Sequence, residues 1–149
     1  MKRVAVLLIC LGPAVLAAGP AAAVCEDTST NVAYKDCVRD AADAAEAELE
    51  AVLPLIYAEI FQRDYMSIEL RQLWASRMRA GQRAFEAYRE IDCLEATTFE
   101  WWGGSGAGGA ASLCRYEKTV ARSRDLVTRF QLDATIAPVA MEGAKGKEP

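Results

Sequence analysis

The sequence contains no histidine among its 149 residues. That absence removes the side chain that titrates near neutrality, the commonest metal ligand, and any serine or cysteine nucleophile activated by an imidazole. An excess of positive charge is missing too: 17 Lys and Arg stand against 21 Asp and Glu, a formal net charge of -4. A nucleic-acid partner is therefore not expected, because the basic footprint it needs is absent. No alternating apolar and polar run of strand type occurs, which leaves an all-α class. After the first two dozen residues no apolar stretch approaches the ~20 residues of a membrane span, so none is expected there.

The N-terminus does hold an apolar run. "MKR" is followed by "VAVLLICLGPAVLAA" and by Ala21 to Ala23, the order of a cleavable secretory signal over residues 1–23. Its removal takes Lys2 and Arg3, so the 17 basic residues fall to 15 while the 21 acidic ones stay, and the formal charge moves from -4 to -6. Of five cysteines, Cys10 leaves with the signal and Cys25, Cys37, Cys93 and Cys114 remain. An even number in an exported chain reads as two disulfides with no free thiol. Val24 stands where a lipid-modification signal carries a small residue, so Cys25 is assigned to a disulfide.

Three helical stripes follow. Val38, Ala41, Ala45, Leu49, Val52, Ile56 and Ile60 step by three or four, with Pro54 predicting a kink or break near Leu53. After Ser67, a plausible N-cap, comes Leu70, Trp74, Met78, Gly81, Phe85 and Tyr88, read as the longest uninterrupted helix. In that reading Phe85 and Tyr88 face the core and Gly81 lets a neighbouring helix approach. The third stripe is Leu113, Tyr116, Val120, Val127 and Phe130, interrupted by Ser123. Between the second and third lies "WWGGSGAGGAAS", whose five glycines from Gly103 to Gly109 argue against helix. The expected architecture is an antiparallel three-helix bundle over residues 24–136, with a Gly-rich loop between helices two and three and a disordered tail over 137–149.

All four cysteines fall at one end of such a bundle, so every pairing is geometrically open. The preferred pairs are Cys25 with Cys37 and Cys93 with Cys114, because local loops close more readily.

Catalytic signals are weak. Asp36, Asp40, Asp43 and Glu50 lie opposite Val38, Ala45 and Val52, where a solvated face or a protein-contact surface is a simpler reading than a glycosidase pair. "GGSGAGG" is followed by no Lys-Ser or Lys-Thr and preceded by no strand, so it does not read as a phosphate cradle. The cysteine spacing lacks a close C-x-x-C pair for zinc. No enzyme activity, cofactor or metal site is expected. Trp101 and Trp102 are two adjacent indoles beside a glycine loop that cannot both face one core, and an exposed tryptophan is an interface anchor. Gln82 and Arg89 are read either as surface residues or as turned inward to satisfy carbonyls near the glycine turn.

Arg79, Gln82, Arg83, the aromatic Phe85, Tyr88, Arg89, Glu90 and Cys93, followed by Gly103-Gly104-Ser105, Cys114 and the Arg122 to Leu126 segment, resemble the core of the LprI-like lysozyme inhibitor family. The likeness runs from Cys25 to about Leu126. Phe85 stands where that family usually has tryptophan, Glu90 where it has aspartate, and its first-helix D-x-x-L-N-x-x-Y is answered by Glu46, Leu49, Glu50 and Leu53. The resemblance implies a small helical bacterial envelope protein, periplasmic or secreted, that binds a lysozyme and occludes its cleft. The partner contacts implied by the exposed features are Trp101 and Trp102, or the acidic face at Asp36, Asp40 and Asp43. The alternative reading is a periplasmic structural or stress-related interaction protein with no lysozyme contact.

Overall fold

The structure is a computed structural model that describes residues 24–26 and 28–132. The signal segment and the tail read from the sequence lie outside the described residues. Helices account for almost all of the rest, and no strand occurs among the described residues. The order is α1 (Asn31–Phe61), α2 (Ile68–Glu90), a π-helical segment (Ile91–Ala96), a short α3 (Thr97–Glu100) and α4 (Ala107–Phe130).

Helix α1 starts because the Thr30 hydroxyl, on extended backbone, accepts the Ala33 N–H at 3.1 Å. It buries Val38, Ala42, Ala45, Leu49, Val52, Ile56 and Ile60, which is the stripe read from the sequence except that Ala42 replaces Ala41. At 31 residues it exceeds the 23 of α2, so the longest helix is the first and not the second. It also passes unbroken through Pro54, so of the expected kink or break the break does not occur. The reason is position: Pro54 is on the exposed side, where water can bond to the Glu50 carbonyl that proline, lacking an N–H, leaves without a donor.

Helix α4 makes the most extensive packing against α1. The Trp74 ring of α2 stacks on Phe130 at 5.7 Å, beside a cluster of Leu49, Val52, Ile56, Ile60, Ala75 and Leu126. At the other end Ala42, Ala45 and Tyr116 form a smaller cluster flanked by Val24, Leu113 and Val120. Small residues dominate there because α4 approaches α1 closely; a Cβ on Gly109 would sit 3.3 Å from the Tyr34 ring. This corrects the reading of Gly103 to Gly109 as one loop. The turn ends at Gly106, and Gly108 and Gly109 are already in α4, where tertiary packing offsets their poor helix propensity.

Helix α2 is the least embedded and buries only Ala75 and Gln82 fully. Its inward face is rotated from the expected stripe. Leu70 and Tyr88 are exposed, and no atom lies within 4 Å of a Cβ built on Gly81, so Gly81 admits no neighbour and Tyr88 is not core.

Two disulfides complete the frame, Cys25–Cys37 and Cys93–Cys114, as the local-loop preference had it. The second ties the fully buried Cys93 of the π segment to α4.

Candidate functional site

Two features stand out, a polar network where α1, α2 and α4 meet and an aromatic tip beyond it. In the network, the Arg89 guanidinium is only 12% exposed. It donates to the Thr119 hydroxyl at 2.6 Å and pairs with the Glu46 carboxylate at 3.1 Å. Arg115 of α4 reaches the same carboxylate at 2.6 Å and Asp43 at 3.4 Å. One acid on α1 thus holds an arginine from each of the other two long helices. Buried Gln82 donates to Glu86 at 3.1 Å and accepts from Arg122 of α4 at 3.3 Å. The guanidinium groups of Arg89 and Arg122 both lie near the Phe85 ring, at 5.6 and 5.7 Å from its centre.

Gln82 and Arg89 therefore do turn inward, but to side chains of α1 and α4 rather than to the carbonyls of a helix end. A cleft of about 200 Å³ opens between α1 and α2 over this network, lined by Glu46, Leu49, Glu50, Gln82, Glu86 and Arg89. With Glu46 shared by two arginines, the network anchors the three long helices to one another. Asp92, Cys93 and Cys114 also lie close together, but both sulfurs are committed to the disulfide and cannot ligate a metal.

The remaining motif residues scatter over the surface. Arg79 covers the Tyr57 ring at 4.6 Å, while Arg83, Glu90 and Ser105 are exposed. Tyr88 is exposed but receives a hydrogen bond from the Lys118 ammonium at 2.9 Å. Lys118 also pairs with Asp92 at 3.0 Å. The Tyr88 hydroxyl, and then the Asp92 carboxylate, hold the lysine above its ordinary pKa.

The tip follows the π segment and α3. Phe99, Trp101 and Trp102 are 82, 51 and 95% exposed. Trp102 takes a left-handed backbone with φ 51°, unusual for a bulky residue, and Gly103 follows at φ 67°. The turn is closed by the Gly104 N–H bonding to the Trp101 carbonyl at 2.8 Å. Trp102 therefore projects into solvent and does not lie flat on a helix. Trp101 leans back over Gly106, where a Cβ would come within 2.2 Å of its ring. Gly106→Ala is accordingly expected to displace Trp101 and cost about 1–3 kcal/mol, visible as a shift in tryptophan emission and a lower unfolding midpoint.

The acidic face of α1 is less free than its sequence suggests. Asp36 and Asp40 both contact Arg39, at 2.9 and 3.4 Å, and Asp43 contacts Arg115. Sequence reasoning named the tip, and Glu46 and Arg122 as parts of the family pattern, but missed Arg115 and Thr119 and did not pair any of the four with Gln82 or Arg89. Counting back from Cys93 by four, eight and eleven gives Arg89, Phe85 and Gln82, a signal that was present in the spacing.

No curated protein and no solved structure matches the chain. The family model described as lysozyme inhibitor LprI matches residues 22–126, which takes in both disulfides, the network and the tip, and the chain belongs to that family.

Proposed function

We propose that this protein is an exported envelope protein, released from a signal over residues 1–23, that binds a lysozyme and inhibits it by filling the cleft. Three long helices, arranged as an antiparallel bundle, serve as the rigid frame. The turn from Trp101 to Gly106 is the plug. The observation that carries this reading is Trp102, 95% exposed on a left-handed turn beside Phe99 and Trp101. Exposed aromatic groups of this size are uncommon away from binding surfaces, and a concave site can desolvate them. Membership of the lysozyme inhibitor family supplies the partner class.

Inhibition needs no chemistry from the inhibitor. A glycosidase works with two carboxylates in a groove, and an occupied groove excludes the glycan. With residues 1–23 removed, 15 basic against 21 acidic residues leave a formal charge of -6, which favours encounter with a cationic enzyme through steering. Asp36, Asp40 and Asp43 remain the second contact surface, with most influence on association rate.

A cell-wall lysis assay tests the proposal, using purified protein against a vertebrate-type and a bacterial lysozyme at low salt. Micromolar inhibition of one of them is expected. Trp102→Ala should raise the inhibition constant about 30-fold, the equivalent of roughly 2 kcal/mol, mainly through faster dissociation. Trp102→Gly, which fits the left-handed backbone, should lose as much and thereby separate contact from strain. Reversing the charge at Asp36 and Asp40 should slow association and weaken its salt dependence. If neither enzyme is inhibited, the structural or stress-related reading replaces this one.

A further inference from the structure

The side of α2 that faces away from α1 and α4 carries a row of apolar and small residues. Leu73, Ser76, Ala80, Ala84, Ala87 and Ile91 follow at intervals of three or four, and Leu94 extends the row into the π segment. Every one of the seven is exposed, the three large ones between 40 and 58%. A row of that length covers roughly 30 Å of helix. Its one polar member, Ser76, is small; Glu69 stands one turn before Leu73 at the end of the row, and Arg77 and Arg83 border it on either side. A lone helix in water gains nothing from such a pattern, whereas a paired one buries it.

We propose that this face is the interface of a dimer, formed by antiparallel pairing of α2 with α2 of a second copy. The distribution of side chains selects that occupant. Large residues lie at both ends, with Ser76 and three alanines between them, so a two-fold axis near Ala84 sets Ile91 of each copy over Ser76 and Ala80 of the other. Leu73 then meets Leu94 of the second copy. Each contact occurs twice, as an isologous interface requires. The small residues let the two backbones approach, and the bulky ends fill the space beside them. Ser76, near one end of the row, can keep its hydroxyl on water at the rim.

Charge selects the direction. One flank of the row carries Arg79 and Arg83 toward one end and Glu86 and Glu90 toward the other, with Arg83 and Glu90 exposed and Arg79 and Glu86 also touching Tyr57 and Gln82 of the same copy. Antiparallel pairing about Ala84 brings the basic half of each copy beside the acidic half of the other, on the same flank. Parallel pairing would instead set this flank against the opposite one, with Arg79 level with Arg77 and Glu90 near Glu95, like charge beside like. The aromatic tip lies beyond the end of the row, so a dimer would carry two tips pointing away from each other and leave both free.

Sedimentation and light scattering of the intact exported chain across a concentration series provide the test. A reversible monomer–dimer equilibrium is expected, with half-dissociation on the order of 10 μM for an interface of this modest size. Ala84→Glu keeps good helix propensity on an exposed face, and it should raise the dissociation constant at least 30-fold with an unchanged helical spectrum. Arg79→Glu with Arg83→Glu should weaken the dimer, and adding Glu86→Arg with Glu90→Arg should restore it. For direction, Leu73→Cys and Leu94→Cys proteins mixed under oxidation should cross-link to each other and not to themselves. A chain that stays monomeric at all concentrations overturns the proposal, as does a dimer indifferent to Ala84→Glu. So does a chain ending at Leu132 that dimerises where the full chain does not, because residues 133–149 would then be the occupant of this face.

Discussion

Arg89→Ala is expected to lower the stability of the fold by about 2–4 kcal/mol, somewhat less than the roughly 3–5 kcal/mol for removing one member of a fully buried ion pair. The guanidinium is 12% exposed and serves two partners on different helices, Glu46 of α1 and Thr119 of α4. Its loss leaves the fully buried Thr119 hydroxyl without its donor. Glu46 keeps Arg115 at 2.6 Å, so the carboxylate is not stranded, and the effect stays below the extreme for an orphaned charge. Thermal unfolding should show a midpoint roughly 10 °C lower. Arg89→Lys should recover only part, since an ammonium cannot hold both partners in one plane as a guanidinium does. Arg83→Ala, on the exposed side of the same helix, should stay within about 0.5 kcal/mol and serve as control. A double-mutant cycle with Glu46→Ala isolates the pair itself. An Arg89→Ala shift no larger than the control would show that α2 is held by its apolar contacts and the Cys93 bridge alone.

The helices themselves were legible in the sequence, and the reason is burial. Helix α1 has a core on one side and solvent on the other, so its apolar period points inward almost residue for residue, from Val38 to Ile60. Helix α2 shows the limit of the same signal. It has apolar residues on two sides, Trp74, Met78 and Phe85 toward the cluster and Leu73, Ala80 and Ala84 away from it. Periodicity alone identifies a helix there without choosing its inward face. The choice is made by Gln82 and Arg89, polar residues whose partners lie 40 and 30 positions further along the chain, on α4, and nothing local announces those partners. Pro54 and Gly109 were misleading for a related reason. A proline on a wet face and a glycine under a tyrosine ring are set by tertiary position, not by propensity. The π segment has no local signature either, because Ile91 to Ala96 is built of residues an ordinary helix would accept. Tertiary attachment at Cys93, with the Thr97 N–H bonding to the Asp92 carbonyl, goes with the wider turn.

Removing the Cys93–Cys114 bridge is expected to have a double effect, on stability and on the tip. The bridge spans 21 residues, and its loss relaxes the unfolded chain by about 3 kcal/mol on the loop-entropy estimate. The Cys25–Cys37 bridge spans 12 residues and should contribute nearly as much by the same reasoning. The two differ in what they hold. Cys25–Cys37 ties the N-terminal segment to the first turns of α1, whereas Cys93–Cys114 encloses the π segment, α3 and the whole turn that carries Trp101 and Trp102. In a Cys93→Ala, Cys114→Ala protein the Lys118–Asp92 pair at 3.0 Å remains the main tether between the π segment and α4. A partly exposed pair of that kind contributes about 1 kcal/mol at most, too little to fix the turn. Trp101 should then leave its place over Gly106 and become more open to acrylamide quenching. The Cys25→Ala, Cys37→Ala protein should lose comparable stability and keep the quenching of the parent. If the tip is the plug, lysozyme inhibition falls in the first protein and persists in the second at temperatures where both are folded. Equal quenching and equal inhibition in the two would show that the tip is held by α3 and the Gly104 turn without help from the bridge.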